Sequence, residues 1–139
     1  MRIAALLLAC SSSLLQAAPL PRTPAPEGAR VYFISPQDGE VVRGEVVVRF
    51  GLEGMGVAPA GIQLAKTGHH HLLVDADALP PLDQPIPADD VHRHFGAGQT
   101  ETRLALPPGK HTLRLLLADH LHVPHDPPVA SEPITITVE

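Results

Sequence analysis

Nine histidines stand among 139 residues, and most of them are grouped. His69, His70 and His71 are consecutive. His92 and His94 flank one residue, His120, His122 and His125 fall in one short stretch, and His111 stands apart. Neutral imidazole is the commonest metal ligand in proteins, and both zinc and copper accept it readily. On a β-strand, rings at i and i+2 share a face and can chelate one ion. His69 with His71, and His92 with His94, have that spacing. His122 and His125, with Pro124 bending the chain between them, offer two more rings. The candidate metal ligands are therefore His69, His71, His94, His122 and His125, with His70, His92 and Met55 as additional candidates. Met55 lies between Gly54 and Gly56. Its thioether would add a preference for Cu(I), or its flexible side chain would plug a gap in the core.

Other roles compete for some of these residues. His70 shares a strand face with Leu72 and Val74, which suits either a buried core histidine or a ligand. His111 follows the Pro107-Pro108-Gly109 turn, where a sandwich often places a tyrosine that ties the corner down. It reads as a structural stand-in for that tyrosine. His120 reads as exposed and incidental. Asp75, Asp77, Asp83, Asp89 and Asp90 read as loop acids. The Asp89-Asp90 pair could also cap a turn, donate oxygen ligands or orient a ligating histidine.

The missing chemistry narrows the field. There is no serine nucleophile elbow and no HExxH. The glycine-rich run from Gly51 to Gly68 precedes no helix, so it lacks the helix N-terminus that binds phosphate. A metalloenzyme would need an open coordination position with an acid or base beside it, and nothing singles out Asp89 or Asp90 for that work. Net charge is −5, Trp is absent and no basic stripe is present, which argues against nucleic-acid binding.

The elements that must position these groups are strands. Period-two alternation or β-branched and leucine-rich runs mark Arg30 to Ile34, Glu45 to Phe50, His69 to Asp75, Thr100 to Leu106, His111 to Asp119 and Pro133 to Val138, each bounded by Pro, Gly or Asp. No window supports a helix. Residues 76–98 are Pro- and Asp-rich, with at most a short strand. Six or seven such strands read as an immunoglobulin-like Greek-key β-sandwich, with strands named A, B, C, E, F and G in that order and D uncertain. In that topology the loop entering C and the loop leaving F share one end. The triple histidine and the 120–125 stretch should meet there, joined by His92 and His94 if a strand D precedes them.

The N-terminus reads as a signal peptide over residues 1–18: Arg2, an apolar stretch, then small residues at Ala17-Ala18. Leu7-Leu8-Ala9-Cys10 imitates a lipoprotein box, but only a short apolar run precedes it and hydrophobicity resumes after it. Cleavage near Ala18 is the favoured reading, with lipid on Cys10 the alternative. Cys10 is the sole cysteine, so no disulfide is expected in the mature domain. Residues 19–28 form a Pro-rich leader, expected to be an extended, mobile spacer, and residues 29–139 form the domain. The expected location is the periplasm or the exterior.

The blocks ISPQDGEVV, FGLEGMGVAPAG, TGHHHLLVD, PLDQPIPADD, HFGAGQTET, LPPGKHTLRLLLAD and HVPHDPPVASEPITITV resemble bacterial domain-of-unknown-function family 4399. The resemblance runs from Val31 to Val138 and implies a small exported bacterial domain with no established activity. Two functions follow as expectations. One is a periplasmic metal-binding protein that handles one copper or zinc ion, copper before zinc, without catalysis. The other is a non-metal cell-envelope binding or structural module whose His and Pro-Asp loops form a hydrogen-bonded scaffold that presents a surface to a protein partner or a glycan.

Overall fold

The computed structural model describes residues 18–139. The signal-peptide and Cys10 readings fall outside the described residues, apart from Ala18. Among the described residues nine strands follow one another: β1 (Arg30–Ser35), β2 (Val41–Val42), β3 (Val46–Glu53), β4 (Gly56–Val57), β5 (Thr67–Val74), β6 (His92–His94), β7 (Glu101–Leu104), β8 (Gly109–Ala118) and β9 (Ile134–Val138). They form an all-β sandwich. One sheet has the order β1-β3-β7. The other runs β2-β9-β8-β5-β4, with β6 also paired to β5. The six expected strands A, B, C, E, F and G are β1, β3, β5, β7, β8 and β9, divided between the sheets as A-B-E and G-F-C. Among the described residues no helix is long and apolar enough to cross a membrane.

Alternation explains the main core. Val31, Val46, Val48 and Phe50 from one sheet meet Leu72, Val74, Leu113, Leu115, Leu117, Ile136 and Val138 from the other. Strands β5 and β8 are also covered on their outer face. Leu73, Leu116 and Ala118 pack there under Ile86, which the Pro-rich segment after β5 supplies. Burial on both faces accounts for the unbroken buried run from Gly68 to Val74, where a one-sided strand would alternate.

Two expectations change. The strand inside residues 76–98 is β6, and it does not precede β7 in the first sheet as a strand D would. It pairs antiparallel with β5 as an edge strand, with His71 opposite His94 and Leu73 opposite His92. The Pro-rich leader is also not a free spacer. Leu20 N–H donates to the Asp83 carbonyl, Ala25 N–H to Asp126, and Asp126 N–H to Thr23. Arg22 donates to the carbonyls of Pro124 and His125 and pairs with Asp126 at 3.3 Å. Proline favours an extended chain, and that shape suits docking along a loop as well as it suits a spacer.

His111 fastens the turn between β7 and β8. Its Nδ1 lies 2.7 Å from Asp75 Oδ2 and its Nε2 2.7 Å from the Pro107 carbonyl. Both neighbours are acceptors, an arrangement that favours the doubly protonated ring. The Asp75 carboxylate chiefly, then the Pro107 carbonyl, raises its pKa above 6.5 against the opposing effect of burial. Asp75 Oδ1 also accepts the Thr112 N–H.

His111→Ala should therefore lower stability at pH 6 by about 0.5–1.5 kcal/mol, the usual net worth of a hydrogen bond, because Asp75 and Pro107 are themselves exposed and can turn to water. A raised folded-state pKa means this contribution is whole below pH 6.5 and fades as pH climbs through the folded value. Denaturant melts of the wild type and the variant at pH 6 and pH 9 should converge at the higher pH. Equal melts at pH 6 would show that the two bonds hold nothing.

Candidate metal centre

The middle of β5 fixes the first two candidate ligands. Alternation sends His69 and His71 to the outer face of the sheet and His70 inward, where its ring stands 5.0 Å from that of Phe50. Opposite His71, edge strand β6 presents His94 on the same outer face. At the end of β8 the chain turns back. The Asp119 carboxylate gathers that turn by accepting N–H from Leu121 and Val123 and the Thr23 hydroxyl at 2.6 Å. His122 sits in this turn with φ 67°, and its ring swings over the same face.

Four rings result from three separated stretches of chain. Centroids are 4.8 Å apart for His69–His71, 5.1 Å for His69–His94 and for His71–His94, 4.9 Å for His69–His122 and 4.8 Å for His94–His122. The His71–His122 pair is wider at 6.2 Å. One ring nitrogen from each of His69, His71 and His94 lies within 4.8 Å of the others. Three atoms so spaced fit a circle of radius about 2.8 Å, and Zn–N bonds run about 2.0–2.1 Å, so small rotations would bring all three onto one ion.

The remaining candidates lie elsewhere. His125 is on the core side of the sheet, its Cε1 2.9 Å from where a Cβ would stand on Gly68, and its ring is not paired with the four. Met55 packs against the main core. His92 lies one alternation beyond His94, its Nδ1 2.9 Å from Asp89 Oδ1. That same oxygen caps the turn by accepting N–H from Val91 and His92. His120 is half-buried, and its carbonyl accepts the Gly61 N–H.

Burial sets the electrostatics. His69, His70, His71 and His125 are fully buried, and neither ring nitrogen of any of them has a hydrogen-bond partner. Burial chiefly, reinforced by His122 and His94, lowers His69 from 6.5 to about 4. Burial alone brings His70 to about 4. His71 falls to about 2 through burial and then its neighbours His69, His94 and His122. His94 is lowered by burial and His122. His125 is lowered by burial and raised in part by Asp119 and by the nearby carbonyls of Leu117 and Thr67. These shifts favour the unprotonated form of His69, His71 and His94, the form that binds a cation.

Two features had no obvious signal in the sequence. Gly96 is one: a Cβ there would stand 2.5 Å from His94 Nε2 and 2.3 Å from its Cε1, so the missing side chain gives the His94 ring its place. Asp119 and its partner Thr23 are the other, since a lone aspartate at a strand end does not announce that it organises a ligand loop.

Gly96→Ala should shift the His94 ring without unfolding the chain, and should weaken metal binding about 10–100-fold, the usual effect of disturbing a ligand's support. In metal-free protein its effect on the melting temperature should shrink in a His94→Ala background, and an equal shift in both backgrounds would refute the steric link. The buried rings also predict acid lability. Their folded pKa values lie below the unfolded 6.5, so the unfolded chain binds more protons and stability falls as pH drops from 6.5 toward 4. Each ring costs up to about 1.4 kcal/mol per pH unit, and three together approach the whole stability of a small domain. Chelator-treated protein should lose its native circular dichroism between roughly pH 5 and pH 4. A native spectrum at pH 4 would show that the rings tolerate charge.

No curated protein sequence matches the chain. Among solved structures it is similar to the endo-beta-1,4-mannanase from Thermotoga petrophila, at 19% identity and a TM-score of 0.47; the match covers 81% of this chain and 20% of that one. Residues 48–139 match the family model described as Domain of unknown function (DUF4399). The match takes in β4 to β9, most of β3 and every histidine of the cluster, and the chain belongs to that family.

Proposed function

We propose that this protein is an exported metal-binding protein that holds one divalent ion, Cu(II) ahead of Zn(II), through His69, His71 and His94, with His122 as the fourth ring. The observation that carries this reading is the convergence of His69, His71 and His94, whose ring nitrogens lie within 4.8 Å of one another, with no hydrogen-bond partner on any ring nitrogen of the buried His69 and His71. Leaving a polar group unpaired in a core costs about 1–3 kcal/mol, and a bound cation would offset that cost at the cluster. With Met55 in the core, the donor set is all imidazole. Imidazole suits Cu(II) and Zn(II), and affinity rises from zinc to copper at such sites. The thioether argument for Cu(I) loses its support.

The hydrogen-bonded scaffold is the second reading, and two residues favour it locally: His111 and His92 both bond to carboxylates. The clustered rings do not share that pattern. The signal-peptide pattern supports export to the periplasm, with handling or buffering of metal as the role there.

Titration with Cu(II) and Zn(II) at pH 7.5 by calorimetry should show one ion bound per chain, with a raised melting temperature because the unfolded chain scatters the ligands. His94→Ala removes an exposed ligand and should abolish tight binding in a folded protein. Failure of both ions to bind more tightly than about 10 μM, roughly −7 kcal/mol, would sink the reading.

A further inference from the structure

His92 and His94 occupy alternate positions on β6, so they face the same way. They line one open groove of about 380 Å³ beside β6, together with Asp89, Arg93, Thr102 and Arg103. His94 is exposed whereas His69 and His71 are fully buried. It is the cluster's contact with that groove. His92 is partly exposed, and its Nδ1 lies 2.9 Å from the Asp89 carboxylate. Beside a carboxylate Nδ1 must carry the proton, which leaves the Nε2 lone pair free. A carboxylate–histidine pair of this kind fixes the tautomer and raises the basicity of a metal-binding ring.

We infer that His92 and His94 form a surface entry site for the metal ion, which shares His94 with the buried centre. This rests on the proposed metal reading of the cluster. A hydrated divalent ion in the groove exchanges water for His92 Nε2 and His94. It then exchanges His92 and its remaining waters for His69 and His71. The pair spans i to i+2 on a strand, the spacing at which two rings can hold one ion. Arg93 and Arg103 do not oppose cation entry with their full charge, since each faces a carboxylate, Asp90 at 3.8 Å and Glu45 at 3.9 Å.

An entry site changes rates in both directions and leaves the equilibrium of the buried centre in place. The test is stopped-flow uptake of Cu(II), followed by the imidazole–copper absorbance, alongside removal by excess chelator and an equilibrium competition titration. The wild type is compared with His92→Ala and Asp89→Asn. Asparagine can still cap the turn through its carbonyl oxygen, so the second variant isolates the carboxylate's hold on His92. Loading and removal should both slow several-fold in His92→Ala and to a lesser degree in Asp89→Asn, with affinity unchanged within about twofold. Unchanged loading in His92→Ala overturns the entry site. Weaker equilibrium binding with faster release also overturns it, by making His92 a ligand of the resting centre. A wild type that takes up no ion overturns the buried centre itself, and the entry site with it.

Discussion

An imidazole is a poor core residue. It carries a donor and an acceptor, and both need partners once water is excluded. Strand β5 nevertheless buries three of them in a row, and the rest of the molecule is arranged around that. Because alternation sends His69 and His71 outward, the outer face of the sheet must be roofed for them to be dry. Ile86, the His122 turn and edge strand β6 provide the roof. Those elements also bring the other rings into reach. Sheltering His69 and His71 and building a four-ring cluster are thus one structural act.

The roof is held by small polar devices. Asp119 fixes the turn that carries His122 and is itself held by Thr23. Arg22 occupies the carbonyls of Pro124 and His125. Arg22 and Thr23 therefore help shape the His122 turn, although they precede the family match at residues 48–139. A chain trimmed to that match would lose the strap, and with it part of what holds His122 in place.

Fold and site were legible to different depths. Period-two alternation, apolar runs and turn residues reported six of the nine strands among the described residues, and the sandwich topology gave their division between sheets. They could not report β6 as an edge partner of β5. Three residues carry too little pattern, and pairing depends on sequence-distant contacts. The meeting of His69 and His71 with His122 followed from topology alone, since strands C and F are antiparallel neighbours. His94 reached the cluster by a different path from the one expected, through pairing with His71 in place of a loop before strand E.

His125 shows where spacing fails as a guide. Three residues after His122, beyond a proline, it seems placed to chelate with it. The decisive fact lies elsewhere in the chain. Gly68 has no side chain, and the space this leaves on the core face of β5 admits the His125 ring, 2.9 Å from a Cβ that is not there. Gly96 does the same for His94 on the edge strand. One glycine draws a histidine away from the cluster and another admits one to it. Neither residue has chemistry of its own, so no search for ligands would have found them. Which rings can share an ion is settled as much by these two absent side chains as by the histidines themselves.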